Sequence, residues 1–325
     1  MKKILALLLS ALLLATLMLG CGDTPADEGP VNIRIAGLKG PTTMGLVKVK
    51  DAAEKGTAKN NYTFTVAGTA DEITPLLLKG ELDLAAVPAN LASVLYNRSE
   101  GKIVTLAINT LGVVYIVEKG DTVADLADLK GKTIYATGQG STPEYALRYI
   151  LSENGIDPDK DVKIEFKSSP DEVVTILKNG GNGIAMLPQP YVTVASNNVP
   201  GLSIKIDLNK EWEKLDTDSM FLTGVLVGRR DFVEANKNAI NKFLDEYKES
   251  TEWVNANTED ASVLIESAGI VKAPIAKKAL PYCNITYIDG KEMQTALSEY
   301  LKVLYDMNPK AVGGKLPTDD FYYQK

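Results

Sequence analysis

The stretch that decides the fold is residues 69–88, TADEITPLLLKGELDLAAVP, because it contains the start of a helix, its end and the strand that follows. Thr69 and Glu72 form the capping-box pattern that begins a helix. Gly80 is the residue type that most often ends one. Residues 82–87 then form an apolar run of the length of a buried strand. This stretch therefore predicts one helix and one buried strand joined by a tight turn.

The same pattern returns one hundred residues later, at residues 169–188, SPDEVVTILKNGGNGIAMLP. Ser169 and Glu172 repeat the capping box, and Pro170 stands at the first helical position, where proline is favoured. The identical pairs at this offset are Gly40/Gly140, Thr42/Thr142, Asp71/Asp171, Glu72/Glu172, Gly80/Gly180, Ala85/Ala185 and Pro88/Pro188. Such residues are common in α/β proteins, but their shared order and spacing predict two structurally similar lobes.

Strands and helices also alternate before each of these stretches. The predicted strand, turn, helix and strand of the first half are residues 31–36, 37–43, 44–54 and 62–66, and the predicted strand, turn and strand of the second half are 132–136, 137–143 and 162–166. Such alternation predicts a mainly parallel sheet with helices on both faces. The predicted fold class is therefore α/β, with two doubly wound lobes that face each other across a ligand cleft.

Two extended passages connect the lobes in this interpretation. Residues 103–117 lead out of the first lobe, and residues 220–227 lead back. The predicted division assigns residues 31–117 and 221–325 to the first lobe, and residues 118–220 to the second. Helical spacing of apolar residues predicts C-terminal helices, which we expect to pack mainly on the first lobe, at residues 236–255, 262–268 and 292–307.

The first twenty residues have the pattern of a signal peptide. Two lysines precede the apolar run 4–19, which as a helix would reach about 24 Å, short of the ~30 Å hydrocarbon core. The run ends in LMLGCG, which resembles the bacterial lipobox around Cys21. We expect residues 1–20 to be removed, residues 21–30 to form a flexible tether, and a lipid on Cys21 to anchor the protein outside the cytoplasm. An ordinary secreted protein with a stray cysteine is the alternative.

The composition excludes several classes of function. The 325 residues include no histidine, which rules out a Ser-His-Asp triad, a histidine general base and most catalytic zinc sites. The formal net charge is −7 and no basic run exceeds two residues, so we expect no nucleic-acid partner. We also expect no catalytic residues, no metal and no cofactor. The thiol of Cys283 is expected to be buried and inert.

The lipobox, the two α/β lobes and the two passages together resemble type II periplasmic binding proteins, the solute receptors of ABC importers. The segments GELDLA at residues 80–85 and DLKGKTI at residues 128–134 are similar to the nitrate/sulfonate/taurine-type and thiamine-pyrimidine-precursor (NMT1-like) receptors. The resemblance implies solute capture in the cleft, hinge closure, and docking on a membrane permease driven by a cytoplasmic ATPase. The expected solute is small and polar or anionic, and the receptor is expected to be a monomer.

Two alternatives remain at this point: a histidine-independent enzyme on the same two-lobed scaffold, and a solute sensor without transport. The resemblance extends to fungal enzymes that make the thiamine pyrimidine, and it implies that those enzymes consume an active-site histidine. This chain has no histidine, so it cannot carry out that chemistry.

Ligands of open α/β sheets bind beyond the carboxyl ends of the strands, so candidate contacts follow the predicted strands. After the first strand these are Lys39, Gly40, Thr42 and Thr43. Glycine lets a ligand approach the backbone, the hydroxyls can donate, and a helix start favours an anionic group. The structural alternative is a simple turn and helix cap.

The matching candidates of the second lobe are Gly140, Ser141 and Thr142. Ser141 and Glu144 also fit a capping box, which would place a carboxylate nearby and favour hydroxyl contacts over an anion. The remaining candidates lie on the later loops and on the two passages, and they are Pro88, Asn90, Asn109, Tyr115, Gln189, Tyr191 and Thr223. Amides and tyrosine can bind polar or flat groups, but each of these residues also has an ordinary packing or capping interpretation.

Overall fold

The computed structural model describes residues 29–180, 183–215 and 217–325. The expected signal peptide, the lipid site at Cys21 and most of the expected tether lie outside these residues. Within the described ranges, no helix combines the length and the apolar character needed to cross a membrane.

Two mixed sheets form the centres of two lobes. The strands are, in chain order, β1 (Asn32–Leu38), β2 (Asn61–Ala67), β3 (Leu84–Pro88), β4 (Ile103–Leu111), β5 (Val114–Lys119), β6 (Thr133–Ala136), β7 (Lys163–Phe166), β8 (Gly183–Pro188), β9 (Leu202–Asp207), β10 (Leu222–Arg229) and β11 (Ile285–Ile288). Among the described residues, one sheet has the order β11-β4-β10-β3-β1-β2 and the other the order β7-β6-β8-β5-β9. The pairs that β1 makes with β2 and β3, and β6 with β7 and β8, are parallel, whereas β4, β5, β9, β10 and β11 pair antiparallel. The predicted two-lobed α/β class is confirmed.

Helices cover both sheets. They are α1 (Pro41–Met44), α2 (Val47–Glu54), α3 (Ala70–Lys79), α4 (Ala89–Arg98), α5 (Thr142–Glu153), α6 (Pro170–Asn179), α7 (Tyr191–Asn198), α8 (Leu208–Glu213), α9 (Arg230–Ala235), α10 (Lys237–Ala256), α11 (Thr258–Ser267), α12 (Ala273–Ala279) and α13 (Gly290–Met307). Short 3₁₀ turns occupy Ala127–Leu129, Leu280–Tyr282, Pro309–Val312 and Asp319–Phe321.

The helix ends of the repeated unit follow their local sequence signals. Thr69 and Glu72 make the reciprocal capping box at the start of α3, and Gly80 ends that helix in the left-handed region at φ 79°. In the second lobe the amide of Glu172 donates to Ser169 Oγ at 3.3 Å. The Glu172 carboxylate, however, accepts from the amide of Ser168 at 3.0 Å. One half of the predicted second box is therefore present, and its reciprocal half is displaced by one residue, to Ser168.

The passage 103–117 is two strands in two different sheets. β4 belongs to the first sheet, and β5 pairs with β8 and β9 of the second. Residues 114–117, which the predicted boundary assigned to the first lobe, thus lie in the second sheet. The apolar run continues through the crossing, so hydrophobicity alone does not mark the change of sheet. β4 ends at Leu111 and β5 begins at Val114, so the change falls at residues 112–113, where Gly112 leaves no room for a side chain: a Cβ there would lie 2.3 Å from Asn209 Oδ1.

A continuous core joins the lobes on the side of α13. One cluster of buried apolar side chains includes Val87 of the first lobe and Leu147 of the second. The ring of Trp212 lies 5.4 Å from that of Phe221 and 5.5 Å from that of Tyr300 on α13, between centroids. α10 packs on α2 and β11, as expected for a first-lobe helix. α13 therefore does more than cover the first lobe, because it also contacts the second.

Candidate functional site

Several predicted contacts of the first lobe meet at one edge of its sheet. β1 and β3 end at this edge, and the antiparallel β10 begins there, with Gly224 paired to Pro88 on one side and to Thr110 on the other. The amide of Asn109 donates from Nδ2 to the carbonyl oxygen of Thr42 at 3.3 Å. The fold thus assembles residues that lie far apart in the sequence.

The two neighbouring threonines of α1 have different surroundings. Thr43 Oγ1 donates to the carbonyl oxygen of Leu38 at 2.6 Å, so its hydroxyl stabilises the turn. Thr42 is only 7% exposed, and its Oγ1 has no hydrogen-bond partner among the described residues. Thr223 Oγ1, at the start of β10, is likewise buried and without a partner there. Buried polar atoms are normally paired, so a bound solute or an ordered water is the natural partner of such hydroxyls.

The loop before α1 is shaped by backbone hydrogen bonds. The carbonyl oxygen of Gly40 accepts from the amides of Thr43 and Met44 at 3.1 and 3.3 Å. Lys39 is exposed, and its amide donates to the carbonyl oxygen of Ala67 at 2.9 Å. The loop therefore carries an exposed lysine beside a buried turn.

The start of α5 already holds a carboxylate of the protein. Glu144 is 8% exposed, and its Oε2 accepts from the amide of Gly140 at 2.6 Å. Its Oε1 accepts from Arg148 Nε at 2.8 Å. Ser141 Oγ donates to the carbonyl oxygen of Gly138 at 2.6 Å. The Gly140 amide and the Ser141 hydroxyl are thus already bonded within the protein and are not free donors for an anionic group, so this helix start is better suited to neutral groups.

Asn90 and Thr142 bind each other across the two lobes. Both are fully buried. Asn90 Nδ2 donates to the carbonyl oxygens of Gly140 at 3.2 Å and Ala311 at 3.0 Å. Asn90 Oδ1 accepts from Thr142 Oγ1 at 3.2 Å. These side chains, predicted as solute contacts, therefore have protein partners and hold the lobes together on the side of α13.

Tyr115 and Gln189 are also engaged with the protein. Tyr115 is 5% exposed, and its hydroxyl donates to the carbonyl oxygen of Tyr282 at 3.3 Å, which links the second lobe to the first. Burial raises the pKa of Tyr115, so its hydroxyl stays protonated. Gln189 Oε1 accepts from Thr193 Oγ1 at 2.9 Å at the start of α7. Tyr191 is half-buried and packs on the apolar cluster of the second lobe.

A second contact between the lobes joins α12 to α7. Lys278 Nζ of α12 donates to Asn197 Oδ1 of α7 at 3.5 Å. Tyr282, which follows α12, is 55% exposed. Sequence analysis missed all three residues, because charged and aromatic residues at a helix end carry no signal that another lobe will face them. The lobes thus meet through buried contacts on one side and through exposed polar contacts here.

One open groove lies outside the cleft. It has a volume of about 800 Å³ and runs between α5 and the end of α13, with Arg148, Asp159 and Met307 among its lining residues. None of the predicted contacts lines it. Within the described part of the chain, no group of three or more cysteine or carboxylate side chains is arranged to hold a metal ion.

The two sheets and the paired crossings between them are the architecture of type II periplasmic binding proteins. More specifically, the chain belongs to the NMT1-like family, whose model matches residues 43–269. A structure of an ABC transporter from Parabacteroides distasonis is 24% identical with a TM-score of 0.74, and covers 92% of this chain and 100% of that one. The periplasmic aliphatic sulphonate binding protein of Escherichia coli is 18% identical with a TM-score of 0.72, and the match covers 91% and 92% of the two chains.

A putative binding protein of Brucella abortus is 26% identical over 163 residues, 50% of this chain and 49% of that protein. The chain thus spans about half the length of the curated relatives it matches. These findings confirm the resemblance seen in GELDLA and DLKGKTI.

Proposed function

We propose that this protein is the extracytoplasmic solute-binding receptor of an ABC importer. It captures a small polar or anionic organic solute between the lobes and delivers it to a permease driven by a cytoplasmic ATPase. The family, the fold and the sulphonate binding protein with the same fold support this assignment. The lipid anchor at Cys21 and the monomeric state belong to the same proposal.

The observation that carries the proposal is the pair of hydroxyls at the edge of the first sheet. Thr42 Oγ1 and Thr223 Oγ1 are buried and lack partners within the described chain, although both lie where open α/β sheets bind ligands. A hydroxyl can donate and accept, so it suits the oxygen atoms of a sulfonate or carboxylate as well as neutral polar groups.

The electrostatic asymmetry of the lobes orients the solute. The second lobe places the buried Glu144 carboxylate at the start of α5, whereas the first lobe presents Thr42 with the exposed Lys39 nearby in sequence. An acidic end of the solute therefore belongs at the first lobe, and its neutral end at the second. Hydrogen bonding of this kind binds a solute without any chemical step.

The experiment is a thermal-shift screen of residues 22–325 with sulfonates, carboxylates, nitrate, amino acids and pyrimidines. A solute at 100 times its Kd stabilises the protein by about 2.7 kcal/mol. At about 2–4 °C per kcal/mol, the Tm rises by roughly 5–10 °C. If none of these compounds raised the Tm, the proposed solute class would be contradicted.

A variant pair then locates the site. Thr42→Val removes the unpartnered hydroxyl and keeps the shape, so we expect Kd for the solute to rise about tenfold. The matched control is Thr105→Val, because Thr105 on β4 is also fully buried with an unpartnered Oγ1 but is not a predicted contact. Equal affinities of the two variants would remove Thr42 from the site.

A further inference from the structure

Gly224 stands against two residues of the candidate site. A Cβ built on Gly224 would lie 2.4 Å from Thr42 Cγ2 and 2.7 Å from Asn109 Oδ1. Real Cβ atoms essentially never approach other heavy atoms within 3.0 Å. The methyl of Thr42 therefore occupies the space that any side chain at position 224 would need.

Glycine is required at position 224 because there is no space for a side chain. Gly224 is not among the glycines with a positive φ, so its backbone conformation is open to alanine. β10 is buried at this point and packs against α1. The close approach of α1, together with the Asn109 side chain on the neighbouring β4, is thus what excludes a side chain.

This contact determines the direction of the Thr42 hydroxyl. A threonine side chain takes one of three staggered χ1 positions, and placing its methyl also places its hydroxyl. With Cγ2 against Gly224, the hydroxyl takes a fixed position, and it has no protein partner within the described residues. Asn109 Nδ2 holds the backbone of the same threonine through its carbonyl oxygen at 3.3 Å.

We infer that Gly224 is a positioning residue of the solute site: by leaving room for the Thr42 methyl, it directs the Thr42 hydroxyl to the solute. This inference rests on the proposed function of the cleft. Gly224 lies on the return strand and has no side chain that could bond to the solute. It nevertheless decides how well Thr42 binds the solute.

The chain provides a matched control on the same strand. A Cβ on Gly228 would lie 2.8 Å from Val233 Cγ2 and 2.9 Å from Leu84 Cδ2, which is a similar crowding. Gly228 pairs with Leu84 and Val104, far along the strand from Pro88. Gly228→Ala should therefore disturb packing as Gly224→Ala does, without touching the site.

The experiment measures the Kd of the solute found in the screen for Gly224→Ala, Gly228→Ala, Thr42→Ser and the double variant Thr42→Ser/Gly224→Ala. We expect Gly224→Ala to raise Kd at least tenfold and Gly228→Ala to leave it within about twofold. Serine lacks the methyl that would collide with alanine, so only the crowding against Asn109 Oδ1, which is common to both backgrounds, remains in the double variant. Adding Gly224→Ala to Thr42→Ser should therefore raise Kd by clearly less than adding it to the parent protein.

A second measurement needs no solute. Three-bond couplings to the Thr42 methyl report its χ1 angle by NMR, and we expect one rotamer in the parent protein and a changed or averaged rotamer in Gly224→Ala. An unchanged rotamer, or an equal loss of affinity with threonine and with serine at position 42, would overturn the inference. If the parent protein binds no solute, the proposed function fails, and the couplings still decide whether Gly224 positions Thr42.

Discussion

Asn90→Ala tests whether the contact between Asn90 and Thr142 holds the lobes together. The substitution removes the donor to the carbonyl oxygens of Gly140 and Ala311 and the acceptor for Thr142 Oγ1. The bonds to Ala311 and Thr142 are buried, so water cannot easily replace Asn90 there, whereas Gly140 is exposed and can bond to water.

The expected magnitude follows from the buried carbonyl oxygen of Ala311, which loses its donor, since Thr142 Oγ1 keeps the backbone amide of residue 90 as a partner. Each buried polar group that loses its hydrogen bond destabilises the fold by about 1–3 kcal/mol. The space left by the removed side chain adds to this loss, so a total of about 2–4 kcal/mol is expected, which lowers Tm by roughly 5–15 °C. Because the loss is in the solute-free protein, the effect does not depend on a bound solute.

The assay is differential scanning calorimetry of the solute-free protein, with urea unfolding as a second probe, since two lobes can unfold in separate steps. The control is Asn198→Ala, because exposed Asn198 makes a single bond from Nδ2 to the carbonyl oxygen of Val194 at 2.8 Å, and its loss should lower Tm by less than about 2 °C. If Asn90→Ala also stayed within that range, the contact would not hold the lobes together and Asn90 would be free to serve the solute.

Two further predictions concern the cleft side and the pH dependence. Tyr115→Phe removes the 3.3 Å bond from the Tyr115 hydroxyl to the carbonyl oxygen of Tyr282, which joins the two lobes. Solute dissociation, followed by stopped flow, should therefore become about threefold faster. An unchanged dissociation rate would count against a role of this bond in closure. Burial acts to raise the pKa of Glu118, but hydrogen bonds from Thr122 and Val123 outweigh it and the pKa is lowered. The stability this carboxylate contributes is therefore complete above its unfolded pKa near 4.5 and is lost as pH falls through the lower folded pKa. In urea titrations, Glu118→Gln should lose less stability than the parent on acidification through this range, and equal losses would refute the assignment.

Local signals explain what could be predicted of the fold. The bonds of the box formed by Thr69 and Glu72, and the left-handed Gly80, involve residues within one helical turn, so composition and spacing are enough to foresee them. The passage 103–117 was harder, since the mainly apolar residues on both sides of Gly112 give no sign that the chain changes sheets there.

The candidate site is formed by residues that lie far apart in the sequence, so less of it could be predicted. Its place at the strand ends followed from the α/β order, and Thr42 was predicted because it follows the first strand. The sequence could not predict that the Thr43 hydroxyl is hydrogen-bonded and the Thr42 hydroxyl is not, because this depends on which hydroxyl reaches the carbonyl oxygen of Leu38. Asn90 and Thr142 are 52 residues apart and bind each other only because the two lobes meet.

The sequence by itself determined the two α/β lobes and the family, because helix caps, strand patterns and recurring motifs are local properties of the chain. Only the tertiary structure decided which polar groups remain free and which are consumed by contact between the lobes. Gly224 shows the reason: whether that glycine is replaceable depends on the methyl of Thr42, 182 residues earlier in the chain, and such a contact exists only once the sheet has formed.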